Sequence, residues 1–500
     1  MSERIALPYI DAPTWGGGTF GRMPRFLTIE ELMAQANRCP GCGSPSCQIG
    51  CPIGNSIGDF HALIARGDLE GAADLRFNRT SVLASIIGSV CPQKDNGLCE
   101  DTNNCVAGRG DGESVMIGSI EASLGMIALQ NGWIKPIAPL PGVKPKMGKH
   151  GRPRSLGIVG SGPAGLRAAE EAVKLGWEVT IYEKESEIGG LWTIGIPNFK
   201  INHILLKGIL NLFQTCPQIS INVNTEVSLG PGGHVSMDAL AAKHDLLITA
   251  NGAQIGKSVK HMDVWGIPGV HQAVRGLLRP QSLRNLGFRQ DDLNHLGGKD
   301  VVVFGLGYTG IDCINTALAH DARSIMVVSS RVPAPDGDIA KNRRNGFNGY
   351  TLHEIADLKT KGVEFLFGTE ARGYSPKGER GELTIDNKVG ARRVLATDAV
   401  ILAAGFDASY FVHSPPTDLI NAEGYNYRAG LFTEHNGTPA MILGDAALQR
   451  KDRLVVKAAA QAANTFRNYH YQLYPQDDPR IMFARRAGRT QLTVLGVGSP

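Results

Sequence analysis

The 500-residue sequence has no apolar run approaching the length of a membrane span. Its opening stretch, Met1 to Trp15, shows neither the charged n-region nor the apolar h-region of a secretory leader. These absences set the expectation of a soluble, cytoplasmic chain with no membrane partner. Charge of either sign is in little excess: 51 Lys and Arg against 47 Asp and Glu leave +4, too mild a balance for nucleic-acid binding. Aromatic residues are few at 6%, while 42% hydrophobic residues is ordinary for chains that bury a core. The length suggests about three domains. What the chain has in excess is glycine, 62 residues, as expected where backbone must approach phosphates and cofactors closely.

Cysteine is unevenly spread, with seven of the nine between Cys39 and Cys105. Cys39, Cys42, Cys47 and Cys51 form C-x2-C-x4-C-x3-C followed by Pro52. That spacing is close to the bacterial ferredoxin run ending in Cys-Pro, in which the fourth cysteine serves a different cluster from the first three. Cys51 is therefore expected to join a second cluster with partners from Cys91, Cys99 and Cys105, Cys91 again being followed by a proline, Pro92. Two 4Fe-4S clusters held wholly by the chain need about eight ligands, and seven thiolates leave one place for another side chain. Structural zinc is the alternative, but zinc prefers two separated pairs closing one tetrahedron, and seven cysteines do not divide into such sites. Disulfides suit small secreted domains rather than a long chain with an odd cysteine count. Cys216 and Cys313 stand alone and read as buried, unreactive thiols.

From Leu27 to Asn131 the spacing predicts helices, among them Ile29 to Asn37 capped by Thr28, and Ile57 to Arg66 before Gly67, with no period-2 run that would make a sheet. Residues 1–25, with Gly16, Gly17 and Gly18 in a row, read as an extended arm. Residues 135–153, with prolines among Lys144, Lys146, Lys149 and Arg152, read as a linker.

The pattern then changes. An apolar strand from Ser155 runs into Gly160-Ser161-Gly162-Pro163-Ala164-Gly165, a helix follows to Gly176, and a second strand, Trp177 to Tyr182, ends in Glu183. Strand, G-x-G-x-x-G, helix, strand and terminal acid make a complete dinucleotide-binding unit. Its glycines let backbone reach a pyrophosphate, the helix N-terminus stabilises the charge, and the acid accepts from ribose hydroxyls. The unit recurs with the strand Val301 to Phe304, the turn Gly305-Leu306-Gly307-Tyr308-Thr309-Gly310 and the strand Ile325 to Val328. Its end carries Ser329, Ser330 and Arg331 in place of the acid, which suits a 2′-phosphate and favours NADP over NAD.

Two fingerprints of this kind suggest a nested pair of domains. The similar endings Asp245 to Gly252 and Asp398 to Gly405 are expected to be returns to the first domain that bracket the insert. Farther on, Ala440 to Asp445 reads as a strand closing on Gly444-Asp445 before a helix from Leu454 to Phe466. That helix N-terminus would stabilise charge on a reduced flavin ring, with Asp445 on ribityl or phosphate-proximal hydroxyls. The expected fold class is α/β: a helical N-terminal iron–sulfur domain followed by two Rossmann-like dinucleotide-binding domains, the second inserted in the first. The expected boundaries are 1–135 for the cluster domain, 150–270 with 390–475 for FAD, 271–389 for NAD(P)H and 476–500 for a tail.

The stretches Ala36 to Gly43, Cys47 to Asn55, Val90-Cys91-Pro92-Gln93, Leu98-Cys99-Glu100 and Ile117-Gly118-Ser119-Ile120-Glu121 resemble the small (beta) subunit of NADPH-dependent glutamate synthase. They are also similar to the N-terminal module of dihydropyrimidine dehydrogenase. Gly160 to Gly165, Gly195-Ile196-Pro197-Asn198-Phe199-Lys200 and Gly444-Asp445 extend the resemblance over roughly residues 30 to 470. It implies one cluster on Cys39, Cys42, Cys47 and Cys105, and another on Cys51, Cys91, Cys99 and the acid or amide closing the I-G-x-x-E/Q segment, here Glu121.

From motifs and resemblance together, the candidate contacts to FAD are Gly160, Gly162, Pro163, Ala164, Gly165, Glu183, Lys184, Gly190, Leu191, Lys200, Gly252, Gly405, Gly444 and Asp445. Those to NADPH or NADH are Gly305, Gly307, Tyr308, Thr309, Gly310, Ser330 and Arg331. The chain departs from the family at Leu306, Tyr308 and Gly310, where G-G-G-D-T-A is usual, at the reduced pair Ser330 and Arg331, and in Ala446 to Arg453.

The implied activity is electron transfer between NAD(P)H and a larger catalytic or electron-accepting subunit through FAD and two 4Fe-4S clusters. The protein's part is positioning and electrostatics, with no catalytic acid or base. The departures keep open an alternative, the NAD(P)-coupling subunit of another multi-subunit oxidoreductase such as a 2-oxoacid or aromatic-acid dehydrogenase. A thioredoxin-reductase-like disulfide enzyme would need a cysteine pair beside the flavin, and Cys313 stands by itself.

Overall fold

A computed structural model describes residues 9–13, 19–24, 26–92, 98–100, 104–109, 112–148, 151–197, 199–229, 232–253, 255–259, 267–280, 296–335, 339–347, 349–378, 380–387, 390–407, 431–444, 455–477 and 479. The expected contact Asp445, the segment Ala446 to Arg453 and most of the tail from 476 lie outside them.

The N-terminal domain is helical, as its spacing predicts. Helix Ile29–Ala36 opens on a reciprocal cap: Thr28 Oγ1 accepts from Glu31 N at 3.2 Å, and Glu31 Oε2 accepts from Thr28 N at 2.9 Å. Ile57–Ala65, Ala84–Val90 and Ile117–Gln130 follow. The last two cross closely, because a Cβ on Gly88 would meet Ala122 N at 2.9 Å and one on Gly125 would meet Ser85 Cβ at 2.4 Å. The N-terminal arm differs from expectation: Tyr9–Pro13 pairs antiparallel with Thr19–Pro24, and the second strand runs beside the distant helix Tyr308–Ala319.

Two parallel sheets follow. The first has the order Leu431–His435, Thr438–Ile442, Leu246–Thr249, Ser155–Val159, Glu178–Tyr182, Ile219–Asn222, with only the outermost Leu431–His435 antiparallel. The second has the order Val270–Gln272, Ala399–Leu402, Asp300–Phe304, Ser324–Ser329, Glu364–Phe367, all parallel. An antiparallel sheet of Thr369–Lys377, Arg380–Asn387 and Arg392–Thr397 is inserted before the strand Ala399–Leu402.

This pairing corrects one expectation. Asp398 to Gly405 does not return to the first domain, because its strand lies between Val270–Gln272 and Asp300–Phe304 in the second sheet. The boundary expected at 390 therefore moves past Leu402. The two endings look alike because they hold equivalent places in two copies of one unit. Asp245 Oδ2 accepts from Ser155 N at 2.9 Å, and Asp398 Oδ2 accepts from Asp300 N at 2.8 Å, each aspartate tying the start of its own unit's first strand. The chain leaves the first unit at Ile255–Gly256 and comes back at Phe406–Asp407, and these two short strands pair antiparallel.

One apolar core runs through both the helical domain and the first unit, from Leu32 and Phe60 to Ile158 and Phe466, while the second unit has cores of its own. Polar contacts add to that union. The buried Glu170, on helix Pro163–Lys174, accepts from Ser81 Oγ at 2.5 Å and Val82 N at 3.1 Å, and Arg167 and Lys174 donate to Thr80 O at 3.2 Å each. The stretch read as a linker is packed rather than free: Leu140 N donates to Lys174 O at 3.0 Å and Lys146 N to Gly176 O at 2.9 Å.

Candidate functional site

The seven clustered cysteines divide into two groups around two cavities. Cys39, Cys42, Cys47 and Cys105 line one. Cys51, Cys91, Cys99 and Glu121 line the other. Local structure explains the sorting. Cys47 lies in the short helix Ser46–Gly50 while Cys51 follows its end, so the two point to different sides. Cys91 caps helix Ala84–Val90, and the close crossing at Gly88 carries it toward Glu121 on helix Ile117–Gln130. Ile57 and Ile117 line both cavities, which therefore share a wall.

The donor set fits two clusters. Each cavity gathers four donor side chains, the complement that one 4Fe-4S cluster takes. All nine cysteines are free thiols. Without a cation the grouped thiols resist ionisation: burial, then the neighbouring Cys39 and Cys105, push Cys47 up to about 11. Burial and then Cys51 push Cys99 up likewise. Iron would reverse that balance, since thiolate is the ligating form.

Three residues that sequence reasoning missed stand beside these cavities. Asn55 Nδ2 donates to Glu121 Oε1 at 2.9 Å, and Arg76 Nε donates to the same oxygen. Arg76 is fully buried, and its Nη1 and Nη2 find no partner among the described residues. Burial raises the Glu121 pKa, against which Arg76 acts to keep the carboxylate ionised. His61, also buried, lines the first cavity. Asn55 closes the stretch Cys47 to Asn55 but carried no assigned role, and no motif marks Arg76 or His61; the packing of non-adjacent helices brings them in.

The first fingerprint has the geometry a bound pyrophosphate needs. Gly160 has φ +98°, and a Cβ there would meet Ala250 O at 2.7 Å; a Cβ on Gly165 would meet Gly160 O at 2.1 Å. Gly162 caps helix Pro163–Lys174, with Pro163 at its first position and Ala164 in its buried first turn. Two further expected contacts touch this turn: a Cβ on Gly190 would meet Gly162 Cα at 2.7 Å, and one on Gly444 would meet Ala164 Cβ at 2.8 Å. Glu183 Oε2 accepts from Ser161 N at 2.9 Å and from Ser161 Oγ at 2.5 Å, so the acid braces the turn. Lys184 and Leu191 are exposed, and Gly252 and Gly405 are left-handed turns at the ends of their strands. The ammonium of Lys200 pairs with the buried Asp312 on the second unit's helix Tyr308–Ala319.

The second fingerprint repeats the form. Gly305 has φ +99° with a Cβ contact of 2.4 Å to Ala403 O, Gly310 has one of 2.2 Å to Gly305 O, and Gly307 caps the helix that opens with Tyr308 and Thr309. By strand register Ser329 stands where Glu183 stands in the first unit. Ser330 is exposed. Arg331 is partly committed: Nη2 donates to Leu306 O at 2.9 Å, Nη1 to Gly346 O at 2.6 Å, and the guanidinium lies 5.2 Å from the Phe347 ring centroid. Cys313 and Cys216 are buried in different cores, so neither forms a redox pair with the other. Among the described residues no helix is long and apolar enough to cross a membrane.

Comparison with known proteins agrees with this arrangement. Residues 18–133 match the family of dihydropyrimidine dehydrogenase domain II, 4Fe-4S cluster, and residues 154–462 match the pyridine nucleotide-disulphide oxidoreductases. The glutamate synthase (NADPH) small chain of Azospirillum brasilense is 31% identical over 414 residues, covering 79% of this chain and 77% of the relative. That of Escherichia coli strain K12 is 30% identical over 398 residues, covering 75% of this chain and 77% of the relative. Glutamate synthase (NADH) of Schizosaccharomyces pombe is 33% identical over 357 residues, covering 70% of this chain and 16% of that protein. The chain belongs to the pyridine nucleotide-disulphide oxidoreductases, among the members that carry a 4Fe-4S domain and include the glutamate synthase small chains, and it is an FAD- and iron–sulfur-containing, NAD(P)H-dependent oxidoreductase subunit.

Proposed function

We propose that the chain oxidises NADPH and delivers the electrons to a larger subunit of glutamate synthase type. In this reading nicotinamide nucleotide binds at Gly305 to Gly310, FAD at Gly160 to Gly165 with Gly190 and Gly444, and the clusters on the two groups of four side chains. The observation that carries it is that all seven clustered cysteines and Glu121 surround two adjoining cavities in a domain sharing one core with the first nucleotide unit. When bound, FAD supplies the conversion between hydride, which moves two electrons, and clusters, which carry one at a time. The chain's own residues position these groups. The glycines admit the pyrophosphates, Glu183 braces the first turn through Oε2, its Oε1 accepts from Glu185 N at 3.0 Å with a lone pair left for a ribose hydroxyl, and Ile57 with Ile117 would separate the clusters.

The absence of a carboxylate at Ser329 supports NADPH over NADH, because nothing there repels a 2′-phosphate. The names of the glutamate synthase relatives support the kind of partner, and a cytoplasmic location goes with it. The test is anaerobic reconstitution of the loaded chain with a glutamate synthase large subunit. Glutamate formation from glutamine and 2-oxoglutarate, driven by NADPH, is expected. Reduction of an artificial acceptor by NADPH with no glutamate formed and no stable complex would direct the reading to a different partner, such as a 2-oxoacid or aromatic-acid dehydrogenase.

A further inference from the structure

The first cavity contains a feature that its four cysteines do not account for. His61, on helix Ile57–Ala65, is 1% exposed and lines the cavity together with Cys39, Cys42, Cys47 and Cys105. Neither Nδ1 nor Nε2 has a hydrogen-bond partner among the described residues. A buried N–H left without an acceptor is destabilising, so an orphaned imidazole in a core helix calls for a partner. The helix offers none, and the aromatic neighbour Phe60, with ring centroids 4.5 Å apart, supplies only an apolar edge. The wall is largely apolar, with Ile57, Val115 and Ile117, and its polar side chains other than His61, namely Ser46 and Asn104, are engaged with Arg109 and Leu98 O, with neither bonded to the ring. The sulfur atoms of a bound cluster are the acceptors that would fill the space His61 faces.

We infer that His61 donates a hydrogen bond to a sulfur of the cluster bound by Cys39, Cys42, Cys47 and Cys105, and by doing so raises that cluster's reduction potential. The inference rests on the cluster assignment proposed above. A hydrogen bond to sulfur stabilises the electron-rich, reduced state, and such bonds are among the factors that set cluster potentials. The imidazole would keep its proton in both redox states of a bound cluster, so no proton need be exchanged. His61 would thus be a positioning residue for the site, which shares the wall of Ile57 and Ile117 with the second cavity. Among the described residues the second cavity has no histidine in its lining, and Arg76 donates to its Glu121.

The experiment is a potentiometric titration of the intact, loaded protein followed by electron paramagnetic resonance, comparing wild type with His61→Leu and His61→Asn at equal iron content. The expected result is about a tenfold shift toward the oxidised state for one of the two clusters in His61→Leu, about 59 mV for one electron. The other cluster should be unmoved, and His61→Asn, which keeps a donor, should restore part of the shift. Unchanged potentials in a fully loaded His61→Leu would overturn the inference. If that variant fails to retain its clusters, pulsed resonance on the reduced wild-type protein labelled with 15N-histidine decides. A weak histidine nitrogen coupling supports the hydrogen bond; no coupling, or one strong enough for a direct iron–nitrogen bond, overturns it. Absence of any reduced-cluster signal in wild type would instead refute the cluster assignment itself.

Discussion

The two nucleotide-binding units open with the same strand, turn, helix and strand, yet their turns are braced with opposite charge. In the first, the carboxylate of Glu183 accepts from the amide and hydroxyl of Ser161, the second residue of the fingerprint. In the second, the guanidinium of Arg331 donates to the carbonyl of Leu306, the second residue of its own fingerprint. The scaffold needs the turn held from the end of the neighbouring strand, and it accepts a donor or an acceptor for that task. The charge left beside the ribose site is then inverted, negative in the first unit and positive in the second. The units also differ in attachment. The first shares its core with the cluster domain and is tied to it through Glu170, whereas the charged network of Asp300, Arg323, Arg380 and Asp398 on the second lies near the surface.

The strongest way to break this comparison is to disable each fingerprint in turn. Gly160→Ala places a Cβ at 2.7 Å from Ala250 O in a left-handed conformation, and Gly305→Ala places one at 2.4 Å from Ala403 O. The first variant is expected to purify without FAD. The second should keep FAD that dithionite bleaches but NADPH does not. Loss of FAD from the Gly305→Ala protein would show that the assignment of the two units is reversed.

Next in size, Glu121→Ala is expected to disturb only one of the two clusters, lowering iron from about eight toward about four per chain. Nucleotide binding at the second unit should be unchanged. Iron near eight with wild-type spectra would remove Glu121 from the ligand set.

Arg331→Gln probes the inverted charge more finely. If the guanidinium chiefly braces the loops of Leu306 and Gly346, the variant should weaken NADPH and NADH alike, by about tenfold for the bonds lost. A loss confined to NADPH, measured as the ratio of kcat/KM values, would mean that Arg331 reads the 2′-phosphate directly.

The smallest effect at neutral pH concerns attachment. Burial would raise Glu171, but Arg167 and Arg467 outweigh it and hold its pKa down to about 2. Arg467 binds this carboxylate through Nε at 2.5 Å and Nη2 at 2.7 Å, joining helix Val455–Leu473 to helix Pro163–Lys174. A carboxyl whose folded pKa is depressed contributes stability that is full above its unfolded value near 4.3 and lost as pH falls through about 2. Acid unfolding between those limits should therefore loosen the first unit, and Glu171→Gln should flatten the profile there. An unchanged profile would show that the pair contributes nothing.

Much of this was legible in the sequence because the signals were local. The fingerprint glycines, the cap at Thr28 and the helices around the cysteines all depend on neighbours within a few residues. The division of cysteines into two groups came from motif spacing and family resemblance, and the two cavities follow the same division. What could not be read depends on which distant segments meet. Asp398 to Gly405 carries the same signal as Asp245 to Gly252, and sequence likeness cannot say to which sheet a strand belongs. The same holds for the partner of Lys200, whose ammonium meets Asp312, for Arg331, whose donors turn back onto backbone carbonyls, for the role of Asn55 beside Glu121, and for Arg76 and His61, which carry no motif and gather only through tertiary packing.

The most direct test of the central claim is quantitation of iron, zinc and flavin on the anaerobically purified chain, with paramagnetic resonance after dithionite reduction. About eight irons and one FAD per chain are expected, without zinc. The two reduced clusters should give signals split by mutual spin coupling, because their cavities share the wall formed by Ile57 and Ile117. Bound zinc, or two magnetically isolated centres, would contradict the account.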